Sequence, residues 1–152
     1  MSSAVHLSEQ AQEVALAEAQ AVRALASGEE YRGRLADLIA AVGDGLVQGE
    51  EAATLEELLE LGLQSGRIRA RYGPGGEQAA LSLYRRLPRG AELTQSAREV
   101  TAALRALEGR ELGPVELTAV GPGAFALSLA TGGLEVSLRL DRQGARVSSV
   151  GI

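Results

Sequence analysis

The chain has 152 residues, 45% hydrophobic and 23% charged, with a formal net charge of −5; this suits one globular domain, or one domain with an appendage. It contains no cysteine, lysine or asparagine and a single histidine, His6, which excludes disulfides, thiolate chemistry, cysteine zinc sites, a Schiff-base lysine and a Walker-type phosphate loop. With aromatics at 3%, one Phe and no Trp, the core has to be built from Ala, Leu and Val.

Taken in chain order, Ser8 to Ala26 sets Val14, Ala15, Ala17, Ala21, Val22 and Leu25 at near-helical spacing, and Gly28 is a natural stop. His6 lies ahead of this helix, in a stretch expected to fray. A second helix carries Tyr31, Leu35, Leu38, Ile39 and Val42 on one face and is interrupted by Gly43-Asp44-Gly45. A third is expected to start at Thr54, with Glu57 completing a capping box, and to end at Gly62. Arg67 to Tyr72 reads two ways, as a strand with one basic face or as a short helix. Gly73-Pro74-Gly75-Gly76 breaks it in either case. A helix over 77–87, stopped by Pro88, precedes another that runs from a Thr94 cap to Leu107 with Ala97, Val100, Leu104 and Leu107 on its apolar face.

From Pro114 the period changes to two. Val115, Leu117 and Ala119, then Phe125, Leu127 and Leu129, then Leu134, Val136, Leu138 and Leu140 alternate with mostly polar neighbours, and turns fall at 121–123, 131–133 and 141–144. The expected fold class is α+β: an N-terminal layer of four to five helices, then a C-terminal antiparallel meander of three to four strands packed on a helix. Residues 1–109 form the mainly helical part and 110–152 the meander, and the two are expected to fold as one cooperative domain.

The charge is segregated. Residues 67–89 hold Arg67, Arg69, Arg71, Arg85, Arg86 and Arg89 against one acid, Glu77, a net of +5. Residues 1–66 hold three arginines and twelve acids, net −9, and residues 90–152 hold six arginines and seven acids, net −1. The absence of lysine points to a high-GC genome and discounts arginine abundance, but not arginine clustering. Such a cluster makes a local potential of its own. The six arginines are therefore the candidate binding residues, for a protein, a second copy or a nucleic acid. A purely intramolecular account is also open: the acidic helices pair with the arginines.

Four further patterns carry less. Residues 54–72 look like a helix-turn-helix, with Gly62 in the turn, Leu63 after it, Ile68 buried in a recognition helix and Arg67, Arg69 and Arg71 facing DNA; Glu57 and Arg71 depart from that pattern by standing at buried positions. The GPGG loop could expose amides to an anion, but Glu77 occupies the place of the anion and a helix C-cap with a turn explains it better. Asp44, Glu50 and Glu51 lack calcium-loop spacing, and Glu9, Glu13, Glu18, Glu29 and Glu30 read as a solvated acidic face. No metal, cofactor or catalytic residue is assigned. No segment has the length and apolarity of a membrane span, the N-terminal stretch lacks a basic start, and the cytoplasm is the expected compartment. The function expected is a non-enzymatic interaction module, with nucleic-acid binding as the alternative.

Overall fold

The computed structural model describes residues 3–152. The elements are β1 (Val5–His6), α1 (Glu9–Leu25), α2 (Glu29–Gly43), β2 (Leu46–Val47), α3 (Gly49–Gln64), α4 (Arg67–Tyr84), α5 (Pro88–Leu104), a 3-10 turn (Arg105–Leu107), β3 (Val115–Gly121), β4 (Ala124–Ala130), β5 (Glu135–Asp141) and β6 (Gly144–Gly151). The chain is α+β, and it divides into two compact units, Met1–Ala91 and Glu92–Ile152. No helix among the described residues is long and apolar enough to cross a membrane.

The first unit is built on α1 to α4. Ser8 caps α1 by accepting the Ala11 amide at 3.3 Å. The stripe Ala11, Val14, Ala15, Glu18 and Ala19 is buried, and so are Leu35, Leu38 and Val42 of α2 and Leu55, Leu58 and Leu59 of α3. Leu25, read as part of the apolar face of α1, is 88% exposed at the end of that helix. His6 is not frayed: β1 pairs antiparallel with β2, Val5 opposite Val47 and His6 opposite Leu46. The local sequence hides this sheet because each strand has only two residues.

Helix starts are where sequence and structure differ most. Helix α3 begins at Gly49, with Glu50 and Glu51 in its first turn where the helix dipole favours acids. Thr54 is therefore buried inside the helix, its hydroxyl donating to the Glu50 carbonyl at 2.9 Å and accepting from Arg34 Nη2 at 3.1 Å. Gly62 lies inside α3 as well, and the turn falls at Ser65-Gly66, where Gly66 takes a left-handed conformation (φ 74°, ψ 2°). Residues 67–72 are helix, not strand. Within α4 only Gly73 leaves helical geometry (φ 74°, ψ −175°), and Pro74 opens the following helical stretch, where a missing N–H costs nothing. Pro88 acts the same way at the start of α5, which consequently begins well before Thr94.

In the second unit β3-β4-β5-β6 form an antiparallel meander in sequence order. Val115 faces Leu129, Leu117 faces Leu127, Leu127 faces Leu138, and Leu138 faces Val147. Val100 of α5 with Val136 and Leu138 makes the core, joined by Leu104, Leu107, Leu127, Leu134, Ala145 and Val147. This is the helix-on-meander arrangement that the change of period predicts.

Two helical glycines differ in the space around them, with opposite consequences. A Cβ on Gly90 would run into the Tyr84 carbonyl group, whose carbon would lie at 2.6 Å, and would sit 3.1 Å from Arg85 Cα. Backbone cannot step aside as a side chain can, so Gly90→Ala is expected to cost about 2 kcal/mol. Gly33, in α2, has nothing within 4 Å of its Cβ position, and Gly33→Ala is expected to stabilise by roughly 0.5–1 kcal/mol through helix propensity. Urea melts of the two variants check the pair; a stabilised Gly90→Ala would refute the close approach of α5 to the end of α4.

Candidate functional site

The arginines singled out by their clustering do different jobs. Arg67, at the first position of α4, donates through Nη2 to Glu18 Oε2 at 2.5 Å, and Tyr72, just over a turn later, donates its hydroxyl to Glu18 Oε1 at 3.1 Å. Glu18 is fully buried, while the Arg67 side chain is 45% exposed. The carboxylate thus receives one charged and one neutral donor, the condition under which a buried charge is tolerated. Gly62 makes room: a Cβ there would lie 2.5 Å from Ile68 Cδ1 and 3.5 Å from Glu18 Oε2. Burial, the Glu18 charge and the hydrogen bond to it raise the Tyr72 pKa above its ordinary value.

A second cluster joins α3 to the start of α5. Glu56 Oε2 accepts the Arg89 amide at 2.7 Å, satisfying one of the free N–H groups of the first turn of α5. The Arg89 side chain reaches Glu60 Oε2 at 2.5 Å, and Tyr84 donates to Glu60 Oε1 at 2.7 Å. Burial first, then the hydrogen bond to Glu60 and its charge, push the Tyr84 hydroxyl well above its ordinary pKa. A group whose folded pKa is raised contributes stability that is complete below its unfolded value, about 10, and is lost as pH rises through the folded value. Stability is therefore expected to decline from roughly pH 10 upward. Tyr84→Phe should flatten that decline, whatever it does to stability at neutral pH. Melts at neutral pH and at about pH 11 test this, and an unchanged slope would refute it.

The other four arginines are held more loosely. Arg69 lies 3.4 Å from Glu77 with its side chain 65% exposed, Arg71 stacks over the Tyr72 ring at 5.6 Å, Arg86 donates to the His6 carbonyl at 2.6 Å, and Arg85 is exposed. Arg67 and Arg89 thus bind acids of the region before them, as the intramolecular account anticipates, and Arg69, Arg71, Arg85 and Arg86 remain at the surface. The helix-turn-helix register is displaced: Ile68 is buried as that reading expects, but Gly62 lies in the last turn of α3 rather than in the turn at Ser65-Gly66, and Glu57 and Arg71 are exposed. Glu9, Glu13, Glu29 and Glu30 are exposed as a solvated face requires, and Glu18 is the exception. Its signal was present, since position 18 falls on the stripe 11, 14, 15, 19. The acids of the loop reading separate as well, with Asp44 at the C-cap of α2 and Glu50 and Glu51 in the first turn of α3. Among the described residues, no group of three or more His, Cys, Asp or Glu is placed to hold a metal ion.

The structure adds a surface that the charge pattern does not reveal. On the α5 side of the meander the buried residues belong to β5 and its neighbours, while β3 is exposed along all seven residues. Val115 is 52% exposed, Leu117 60% and Phe125 42%, although the register sets all three on the same face as Val136 and Leu138. Comparison with protein-family models, with curated proteins and with solved structures finds no match to this chain.

Proposed function

We propose that the chain is a non-enzymatic cytoplasmic interaction module that binds a protein partner or a second copy of itself. The open half of the apolar sheet face supports this reading: Val115, Leu117 and Phe125 continue a core face into solvent, and contiguous exposed apolar side chains mark interaction sites. The charged groups that converge elsewhere, Glu18 with Arg67 and Tyr72, and Glu56 and Glu60 with Tyr84 and Arg89, already satisfy one another rather than pointing at a substrate. The compartment rests on the sequence grounds given above.

Nucleic-acid binding is the second reading, favoured by Arg69, Arg71, Arg85 and Arg86 remaining at the surface. Fluorescence anisotropy with duplex DNA and with RNA at two salt concentrations separates the two. The expected result is binding no tighter than nonspecific levels, roughly 10⁻⁴ to 10⁻⁶ M at physiological salt. Sub-micromolar, salt-sensitive binding abolished by Arg69→Gln, Arg71→Gln and Arg85→Gln together would replace the interaction reading with this one.

A further inference from the structure

Strand β3 is an edge of the four-stranded sheet, and its free side has a defined register. Ala130 donates its amide to the Pro114 carbonyl at 3.2 Å. Antiparallel pairing alternates, so the amides and carbonyls of Glu116 and Thr118 also face β4, and those of Val115, Leu117 and Ala119 face outward. The same three residues are the ones whose side chains lie on the core face of the sheet. From Val115 to Ala119 there is no proline and one charged residue, Glu116, and the one irregularity of the strand, a register shift between Ala119 and Gly121, lies beyond these five residues, so the usual devices that blunt an edge are few along them.

We infer that a second copy of the chain pairs antiparallel with β3 about a two-fold axis through Leu117, joining the two meanders into one eight-stranded sheet. The inference rests on the interaction reading above and names its partner. In this register Leu117 meets Leu117 and Val115 meets Ala119, and each pair exchanges the outward backbone bonds that a lone chain leaves to water. Glu116 falls opposite Thr118 of the other copy, not opposite a second Glu116, so the only charges on the two strands avoid direct apposition. The pairing also sets the open apolar halves of the two sheets side by side. A short strand pair with a few half-exposed side chains buries roughly half of the ~800 Å² per partner of a stable interface, so the dimer is a micromolar one.

Sedimentation velocity of the full chain from about 1 to 500 μM tests this, with circular dichroism as a check on folding. Leu117→Arg places charge against charge at the axis. Leu117→Pro removes an N–H that faces outward, a substitution that edge strands accept. Wild type is expected to pass from monomer to dimer, with the dissociation constant raised at least about tenfold in both folded variants. If Leu117→Pro fails to fold, Leu117→Arg alone decides. A monomer at every concentration overturns the pairing, as does a dimer that both variants retain or an assembly that grows beyond two. A monomer that also ignores nucleic acid leaves the interaction reading standing with a different partner; salt-sensitive nucleic-acid binding removes that reading itself.

Discussion

Leu138→Ala is expected to lower the unfolding free energy by about 3 kcal/mol, and Leu117→Ala by less than about 0.5 kcal/mol, although both leucines sit mid-strand on the same face of the same sheet. Leu138 is 3% exposed beneath α5, packed with Val100 and Val136, so truncation removes buried methyl groups and leaves a cavity lined by residues that cannot collapse into it. Leu117 is 60% exposed and has little burial to lose. Leu127, opposite both and only partly buried, should fall between them, at roughly 1–2 kcal/mol. Urea melts at protein concentrations well below the dissociation constant of the dimer measure all three without a contribution from association. Equal costs for Leu117→Ala and Leu138→Ala would mean that the cover extends over β3, and would remove the open face on which the proposed function depends.

The contrast shows what the sequence could carry. Period-two alternation with glycine-rich turns made the meander legible, and Leu127, Val136 and Leu138 were recognisable as its apolar face. Nothing in that alternation distinguishes Leu138 from Leu117, because one helix covers only part of a sheet and its placement is a tertiary matter. The helix starts lie ahead of Thr54 and Thr94, at Gly49 and Pro88, and are hidden for a related reason: a threonine with the right neighbours satisfies local capping chemistry whether or not the helix has already begun. The arginines illustrate the same limit. Their clustering was visible, but the partners of Arg67 and Arg89 lie 49 and 33 residues away, so the division between structural and surface arginines exists only in the folded chain.

Arg67→Met tests that division at its sharpest point and is expected to cost about 3 kcal/mol. Removing one partner of a buried ion pair typically costs 3–5 kcal/mol, because the remaining charge stays out of water with nothing to compensate it. The lower end applies here. Glu18 keeps the Tyr72 hydroxyl, and the Arg67 side chain is 45% exposed, so its departure opens a path for water to the carboxylate. Glu18→Leu combined with Arg67→Met removes the stranded charge and leaves an apolar side chain on the buried stripe of α1. Tyr72 then turns its hydroxyl toward the cleft of about 320 Å³ that it lines with Gln10 and Glu13, where water can take the place of Glu18. The double variant should therefore be more stable than Arg67→Met alone, a non-additivity that a double-mutant cycle reads directly. Arg69→Met, whose partner Glu77 lies on the same helix at the surface, should cost at most about 0.5 kcal/mol. If Arg67→Met is as mild as Arg69→Met, the buried pair is not holding α4 to α1. Arg67 then rejoins the surface arginines, and the nucleic-acid reading regains the residue that would anchor it.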